Sequence, residues 1–219
     1  MPKIIKSPLL WFVVCVIGIA VLAFFGPEEK SLGANVRIVY LHGAWVLTAE
    51  IAFIAAGLAG LAGLLGLLGL PALASRTDMF HRWSRALGWT GIFFWVTYLP
   101  LSLWAMQANW SGLFLAEPRF RLALTFAVVG VLLQVGLWLI HKPWLTSTAN
   151  LAFIISLRLV FASAEYIMHP PPSPIFSSGL LNIQLFFIGL NLLTLVAAYF
   201  LTRIFLSRSA ARSQLTAKN

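Results

Sequence analysis

The sequence predicts an all-α integral membrane protein, a six-transmembrane-helix bundle that forms a single domain over residues 1–219 with both termini in the cytoplasm. Hydrophobic residues make up 60% of the chain and charged residues only 10%, whereas about 25% of a soluble domain is charged. Apolar runs of membrane-spanning length follow one another along the chain, and basic residues collect in alternate connections. We therefore expect a multi-pass protein of the bacterial inner membrane, surrounded by lipid and without a nucleic-acid partner.

Six apolar runs are the predicted spans, each near the ~20 residues that cross a bilayer. They cover approximately 8–25, 40–70, 86–106, 121–140, 149–168 and 180–206. The first run follows two lysines, as the core of a signal peptide would. However, Phe24 and Phe25 stand where cleavage of a signal peptide requires small residues, so we expect this run to be retained as a span.

The basic residues predict which connections lie in the cytoplasm. They concentrate at the N-terminus, in the 71–85 and 141–148 loops and in the C-terminal tail, while the other connections are nearly balanced in charge. The positive-inside rule places these four basic segments in the cytoplasm. His42 and His169 are then expected together at the periplasmic face, and His81 and His141 are expected in solvated cytoplasmic loops.

The second run has a glycine at every third position from residue 57 to residue 69. Small residues on a membrane helix allow neighbouring backbones to approach closely, so the pattern predicts tight helix packing. A phosphate-binding loop is excluded, because the glycines lie in an apolar run with no Lys-Ser or Lys-Thr after them. The sequence also has no hydrolytic triad and no cysteine cluster, and we expect no enzymatic activity.

Ionisable residues inside the predicted spans are costly unless they are paired. Glu50 and Arg158 lie at similar depths below the periplasmic face, and we expect them to form an ion pair. Arg158, Glu165 and His169 are spaced by seven and four residues, which predicts one common face of the fifth span. Two interpretations are open: the pair only fastens two helices, or these charges support a site at His169, with Glu165 orienting its imidazole.

The two periplasmic histidines suggest a metal-binding role. A neutral imidazole nitrogen is a common iron ligand, and two imidazoles facing each other hold b-type heme. Cys15 is the only cysteine, so the chain has no Cys-x-x-Cys-His motif for covalent attachment. The expected cofactor is therefore non-covalent heme b, with iron bound by His42 and His169.

A family resemblance supports this hypothesis. Residues 37–42, Arg-Ile-Val-Tyr-Leu-His, closely resemble the Arg-Ile-x-Tyr-x-His segment of the CcmC-type cytochrome c assembly proteins. Members of that heme-handling family are six-span bundles in which two outer-face histidines ligate heme on either side of a tryptophan-rich loop. His169 matches the second family histidine in position, just after the fifth predicted span.

The tryptophan-rich loop is where the sequence departs from the family. The family pattern is approximately Trp-Gly-x-Trp-Trp-x-Trp-Asp-x-Arg, and residues 110–119 here are Trp-Ser-Gly-Leu-Phe-Leu-Ala-Glu-Pro-Arg. Trp110 and Arg119 match, Glu117 replaces the aspartate, and Phe114 replaces a tryptophan. In the family this loop presents heme to a periplasmic heme chaperone, so its erosion weakens the expectation of heme transfer.

The resemblance implies a set of site residues and partners. The implied wall of the heme site consists of Trp104, Trp110 and Phe114, and the implied propionate partners are Arg37, Arg119 and Arg121. Supporting residues around the ligands would be Glu165, Arg158 and Glu50. Implied partners are other membrane subunits of a cytochrome c maturation or redox complex, and a periplasmic heme chaperone or cytochrome c.

Two other functions stay open at this point. A b-type cytochrome subunit would use the same two histidines to pass electrons between a periplasmic redox partner and quinone. A scaffold or small-molecule permease would need neither heme nor iron-ligating histidines. The permease is the weaker of these two, because the sequence has no clear inverted repeat of the kind found in transporters.

Overall fold

The computed structural model describes residues 7–165, 174–177 and 179–216, and within these residues the chain is helical without strands. Six long helices and two single-turn helices follow one another. In chain order they are α1 (Pro8–Phe24), α2 (Val36–Leu67), α3 (Pro71–Ala74), α4 (Thr77–Trp110), α5 (Pro118–Ile140), α6 (Pro143–Ala162), α7 (Pro174–Ser177) and α8 (Leu181–Thr216).

Five helices are long and apolar enough to cross a membrane, which makes the chain a multi-pass membrane protein. They are α2, α4, α5, α6 and the Leu181–Arg208 part of α8. The first predicted span is α1, which has 17 residues and is therefore shorter than the other five. The all-helical class is confirmed, and the count of six spans remains a prediction.

Two helices differ in extent from the predicted spans. α4 begins at Thr77 rather than near residue 86, so most of the expected 71–85 loop is helical. α6 covers Pro143–Ala162 rather than 149–168. The first difference arises because hydropathy detects only the apolar part of a helix, whereas polar turns such as 77–85 continue the helical backbone without an apolar signal.

The glycines of α2 bring its neighbours close, as the sequence predicts. A Cβ added to Gly60 would lie 2.8 Å from the Ser147 carbonyl oxygen, and one added to Gly63 would lie 2.7 Å from the His81 Nδ1. α2 therefore packs against α4 on one side and α6 on another, while α1 packs against α8. The core of this bundle is aromatic, with Tyr40, Phe94 and Trp95 almost completely buried.

Contacts between connections define the two ends of the bundle. At one end, the Asn35 Nδ2 donates to the Ala108 carbonyl oxygen at 2.9 Å, and Arg119 lies beside the last turn of α6. This end is called the His42 end. At the opposite end, the last turns of α2 meet the first turn of α4, where Thr77 Oγ1 lies against Gly66.

Candidate functional site

A cavity of about 120 Å³ lies between four helices at the His42 end. The face of α2 that lines it repeats every four residues, at His42, Val46 and Glu50, which is the spacing of one helix face. The rest of the lining comes from α4, the start of α5 and the end of α6: Trp95, Tyr98, Ser102, Ala105, Met106, Trp110, Glu117, Arg119, Phe120 and Phe161.

His42 lies two turns inside α2, next to Tyr98 of α4. The centroids of the two rings are 5.5 Å apart, with the ring planes tilted by 58°. Tyr98 itself packs edge-on against Trp95, whose indole nitrogen donates to the Ala123 carbonyl oxygen at 3.0 Å. The imidazole is therefore placed on a rigid aromatic wall.

The loop after α4 is closed by a helix cap. Glu117 is the N-cap of α5, and its carboxylate accepts a hydrogen bond from the Phe120 backbone N–H at 2.6 Å. Pro118 follows at the first helical position, where its missing N–H costs nothing. This cap carries Arg119 to the edge of the cavity, and it gives the family-like acidic residue of the loop a structural role.

Arg119 links the loop to the end of α6. Its guanidinium donates to the Phe161 carbonyl oxygen at 3.4 Å and lies 5.9 Å from the centroid of the Phe161 ring. Phe161 lines the cavity, and α6 ends one residue later at Ala162. The chain that continues toward His169 therefore leaves α6 beside the cavity.

The predicted ion pair between the second and fifth spans is confirmed. Arg158 Nη1 donates to Glu50 Oε2 at 2.8 Å. The Glu50 side chain is 19% exposed and lines the cavity, whereas the Arg158 side chain is 56% exposed and lies outside the lining. Glu50 is thus shared between the cavity and the surface of the bundle.

The predicted common face of Arg158, Glu165 and His169 is not formed as expected. α6 ends at Ala162, and Glu165 follows outside the helix with an exposed side chain. Because the helical register stops before Glu165, its spacing from Arg158 no longer places the two side chains on one face. His169 lies outside the described residues, so its predicted ligand role stays a prediction.

The structure also separates Trp104 and Arg37 from the cavity. Both line a different, largely apolar groove of about 350 Å³ between α1, α2 and α4. Trp104 and Trp110 are six residues apart, which turns them about 120° from each other around α4. Arg37 forms an ion pair with Glu28 at 3.1 Å and donates to the Gly26 carbonyl oxygen at 2.9 Å, so it fastens the α1–α2 connection.

The remaining two expected site residues lie on the surface. Phe114 is 45% exposed, and its ring lies near Gly112 of its own loop. Arg121 is exposed on the first turn of α5. The expected wall of Trp104, Trp110 and Phe114 is therefore not assembled. The cavity brings together three of the eight predicted cofactor-binding residues: His42, Trp110 and Arg119.

Several cavity residues escaped the sequence analysis. Tyr98, Ser102 and Met106 recur every four residues on α4, and Ala105 lies beside them on the same helix. This periodicity was visible in the sequence, but all the residues of that run are compatible with ordinary packing. Only the position of α4 against His42 distinguishes Tyr98 as a site residue.

The expectation of a solvated loop is wrong for His81, whereas His141 lies exposed in the connection between α5 and α6. His81 is only 4% exposed, and its Nδ1 lies 2.6 Å from the Ser147 Oγ. The physical reason is that α4 begins early, so His81 faces the glycines of α2 rather than solvent. His141 is exposed and ends α5 in a left-handed conformation with φ of 58°.

The donor set of the cavity fits heme chemistry in part. An imidazole, a guanidinium and an indole are the groups that bind iron, meet propionates and contact a porphyrin face. The cavity is small, since about 120 Å³ lies below the ~300 Å³ at which ordinary ligand pockets begin. A whole porphyrin does not fit within this volume, and the described residues place one histidine, His42, in the lining.

Comparison with known proteins gives no assignment: no protein-family model, curated protein or solved structure matches this chain. The function is therefore inferred from the chemistry of the cavity and from the sequence motifs.

Proposed function

We propose that the protein binds b-type heme at the periplasmic face of the bacterial inner membrane and handles it in cytochrome c maturation. In this proposal the chain is a CcmC-type assembly protein with six spans and both termini in the cytoplasm. His42 and His169 are the iron ligands, and Arg119 and Trp110 contact the propionates and the edge of the ring.

The observation that carries the proposal is the position of His42. It lines a cavity together with Trp110 and Arg119, two residues of the loop that resembles the family motif. The end of α6 forms the rim of the same cavity, and the segment with His169 follows within the next seven residues of the chain. A heme on His42 would lie toward this rim, because the cavity is too small for it.

A second candidate function is favoured by the missing aromatic wall. Trp104 faces another groove and Phe114 lies on the surface, so Trp110 stands without the aromatic platform that the family uses to present heme. A protein that keeps its heme would not need this platform. The alternative is therefore a b-type cytochrome subunit that passes electrons between a periplasmic redox partner and quinone.

Heme content tests the proposal. Protein purified in detergent after growth with hemin is measured by reduced-minus-oxidised spectra and by the pyridine hemochrome assay. We expect a b-type signal near one heme per chain, lost in His42→Ala and in His169→Ala. His141→Asn is the matched control, because His141 is an exposed histidine far from the cavity, and it should keep the signal.

The two candidate functions differ in heme release. Heme that moves from the wild-type protein to an added apo-acceptor supports assembly, and heme that stays bound supports the cytochrome. Wild-type protein without heme, or His42→Ala with full heme content, would overturn the ligand assignment.

A further inference from the structure

Two aromatic side chains join α4 to α8 near the end of the bundle that lies opposite His42. The ring centroids of Trp89 on α4 and Phe205 on α8 are 6.4 Å apart. The helices are in direct contact at this level, because Thr90 Oγ1 lies 2.8 Å from Thr202 Oγ1. Trp89 and Phe205 are both half-buried. The aromatic pair therefore forms an edge of the α4–α8 contact that reaches the surface of the bundle.

Two exposed arginines lie beside this aromatic pair. Arg82 precedes Trp89 by seven residues, which is close to two helical turns, and Arg208 follows Phe205 by three, so each arginine shares a helix face with its aromatic residue. α4 begins at the opposite end, and α8 runs toward that end from its contacts with Tyr40. Both arginines are therefore displaced from the pair toward the same end, by rises of ~10 Å and ~5 Å. These four residues of α4 and α8 are called the α4–α8 patch.

The sequence around the patch has an excess of positive charge. Residues 71–85 contain three arginines and one acidic residue, Asp78, and residues 200–219 contain three arginines, one lysine and no acidic residue. Clustered charges of one sign concentrate ligands of the opposite sign. The patch therefore favours an anionic ligand over a neutral or cationic one.

The chemistry of the patch fits a phospholipid headgroup. A guanidinium binds a phosphate group through charge-assisted hydrogen bonds that are often bidentate. Trp89 belongs to a helix that is long and apolar enough to cross a membrane, and tryptophan in such helices prefers the boundary between headgroups and acyl chains. A soluble anion would contact the arginines alone, whereas a phospholipid also supplies apolar chains to the aromatic pair. Basic pockets between membrane helices are known to bind anionic headgroups.

We propose that the α4–α8 patch binds one anionic phospholipid. The phosphate lies between Arg82 and Arg208, and the first carbons of the acyl chains lie against Trp89 and Phe205. This site is at the other end of the bundle from the His42 cavity. It goes beyond the proposed heme function and does not rest on it.

Native mass spectrometry of the full-length protein in detergent tests the proposal. Dioleoyl phosphatidylglycerol is the anionic probe, and dioleoyl phosphatidylcholine is the comparison, because it has the same acyl chains and the same phosphate but no net charge. We expect one phosphatidylglycerol per chain, bound about tenfold more tightly than phosphatidylcholine, since both arginines favour the net negative headgroup. Glycerol 3-phosphate, the soluble counterpart, should not displace the lipid at equal concentration.

Two double variants with the same change in net charge locate the site. Arg82→Gln/Arg208→Gln removes both phosphate partners and should weaken phosphatidylglycerol binding about tenfold. Arg76→Gln/Arg203→Gln is the matched control, because Arg76 and Arg203 are exposed arginines outside the patch, and it should leave the affinity unchanged. Arg203 points to a different neighbour, since its Nη1 donates to the Tyr199 hydroxyl at 2.8 Å.

Four results would overturn the site: equal affinity of the wild type for both lipids, unchanged affinity in Arg82→Gln/Arg208→Gln, an equal loss in the control, or displacement by glycerol 3-phosphate. The last result would assign the patch to a soluble phosphate ester. If the double variant does not fold, the two single variants decide, each with an expected loss of about threefold. His42→Ala should keep full lipid binding, so this proposal and the proposed function fail independently.

Discussion

His42 and Glu50 lie on one face of α2, and their spacing gives the cavity an imidazole and a carboxylate. Each side chain is fixed by a different neighbour. His42 lies against the Tyr98 ring, and Glu50 pairs with Arg158 at 2.8 Å. An intramembrane charge is retained only where a partner offsets its desolvation, so both helices contribute to the chemistry of one site.

A single methyl group tests the close contact between α2 and α4. In Gly63→Ala the new Cβ would lie 2.7 Å from His81 Nδ1, and the ring cannot move without leaving Ser147. We expect a loss of about 1–3 kcal/mol in unfolding free energy, measured by unfolding in mixed micelles. Gly136→Ala is the control, because nothing lies within 4 Å of that position, and the better helix propensity of alanine should make it neutral or slightly stabilising. Equal losses in both variants would contradict the contact.

The order and approximate extent of the helices were predictable from the sequence because hydropathy and length determine a membrane helix. The ends were less predictable. α4 starts with polar residues that carry no apolar signal, and its early start buries His81 rather than leaving it in a loop. α6 begins at Pro143 and ends at Ala162. Glu165 therefore lies outside the helix and is not in helical register with Arg158.

Site residues were predictable only where a charge or a histidine stands out in an apolar run. The Glu50–Arg158 pair met this condition and is confirmed. Trp104 and Tyr98 did not meet this condition. The face of α4 that contacts α2 depends on packing over the whole helix. Trp104 was therefore assigned to the site although it lies in another groove, and Tyr98 was missed.

Three helices are joined by one buried polar network near the opposite end of the bundle. Asn150 of α6 accepts from the Gln134 Nε2 at 2.7 Å and donates to the Ser84 carbonyl oxygen at 2.9 Å. Hydrogen bonds of this kind stabilise helix pairs in membranes, because unpaired polar groups there have no water as an alternative hydrogen-bond partner.

Removing the centre of this network should be costly. In Asn150→Leu the Gln134 amide and the Ser84 backbone lose their partner, and we expect a loss of about 1–2 kcal/mol in unfolding free energy. Thr148→Val is the control, since Thr148 is exposed and bonds only to the Trp144 carbonyl oxygen of its own helix. A variant Asn150→Leu as stable as the control would show that the network contributes little.

At the scale of the whole molecule, the bundle places its connections at two ends with different chemistry. The His42 end carries the cavity, the capped loop before α5 and the end of α6. The α2–α4 and α5–α6 connections, which hold Arg76 and Lys142, lie at the opposite end, and the positive-inside rule favours the cytoplasmic side for connections rich in basic residues. The cavity is then expected to face the periplasm.

Labelling of single cysteines tests this orientation. In a Cys15→Ser background, an impermeant maleimide should label Lys30→Cys and Leu115→Cys in intact spheroplasts. Ser75→Cys and His141→Cys should react only after permeabilisation, and all four positions are exposed. Labelling of Ser75→Cys in intact spheroplasts would reverse the orientation, and labelling of all four positions from the same side would contradict the crossing of the membrane by α2, α4 and α5.

Imidazole rescue is the most direct test of the central claim that His42 binds heme iron. In His42→Ala the missing ring leaves space beside Tyr98, and the low-spin b-type spectrum should be lost. Free imidazole added to this variant should restore the spectrum, while the same addition to wild type or His141→Asn changes nothing. A low-spin spectrum in His42→Ala without imidazole, or none after its addition, would contradict iron ligation by His42.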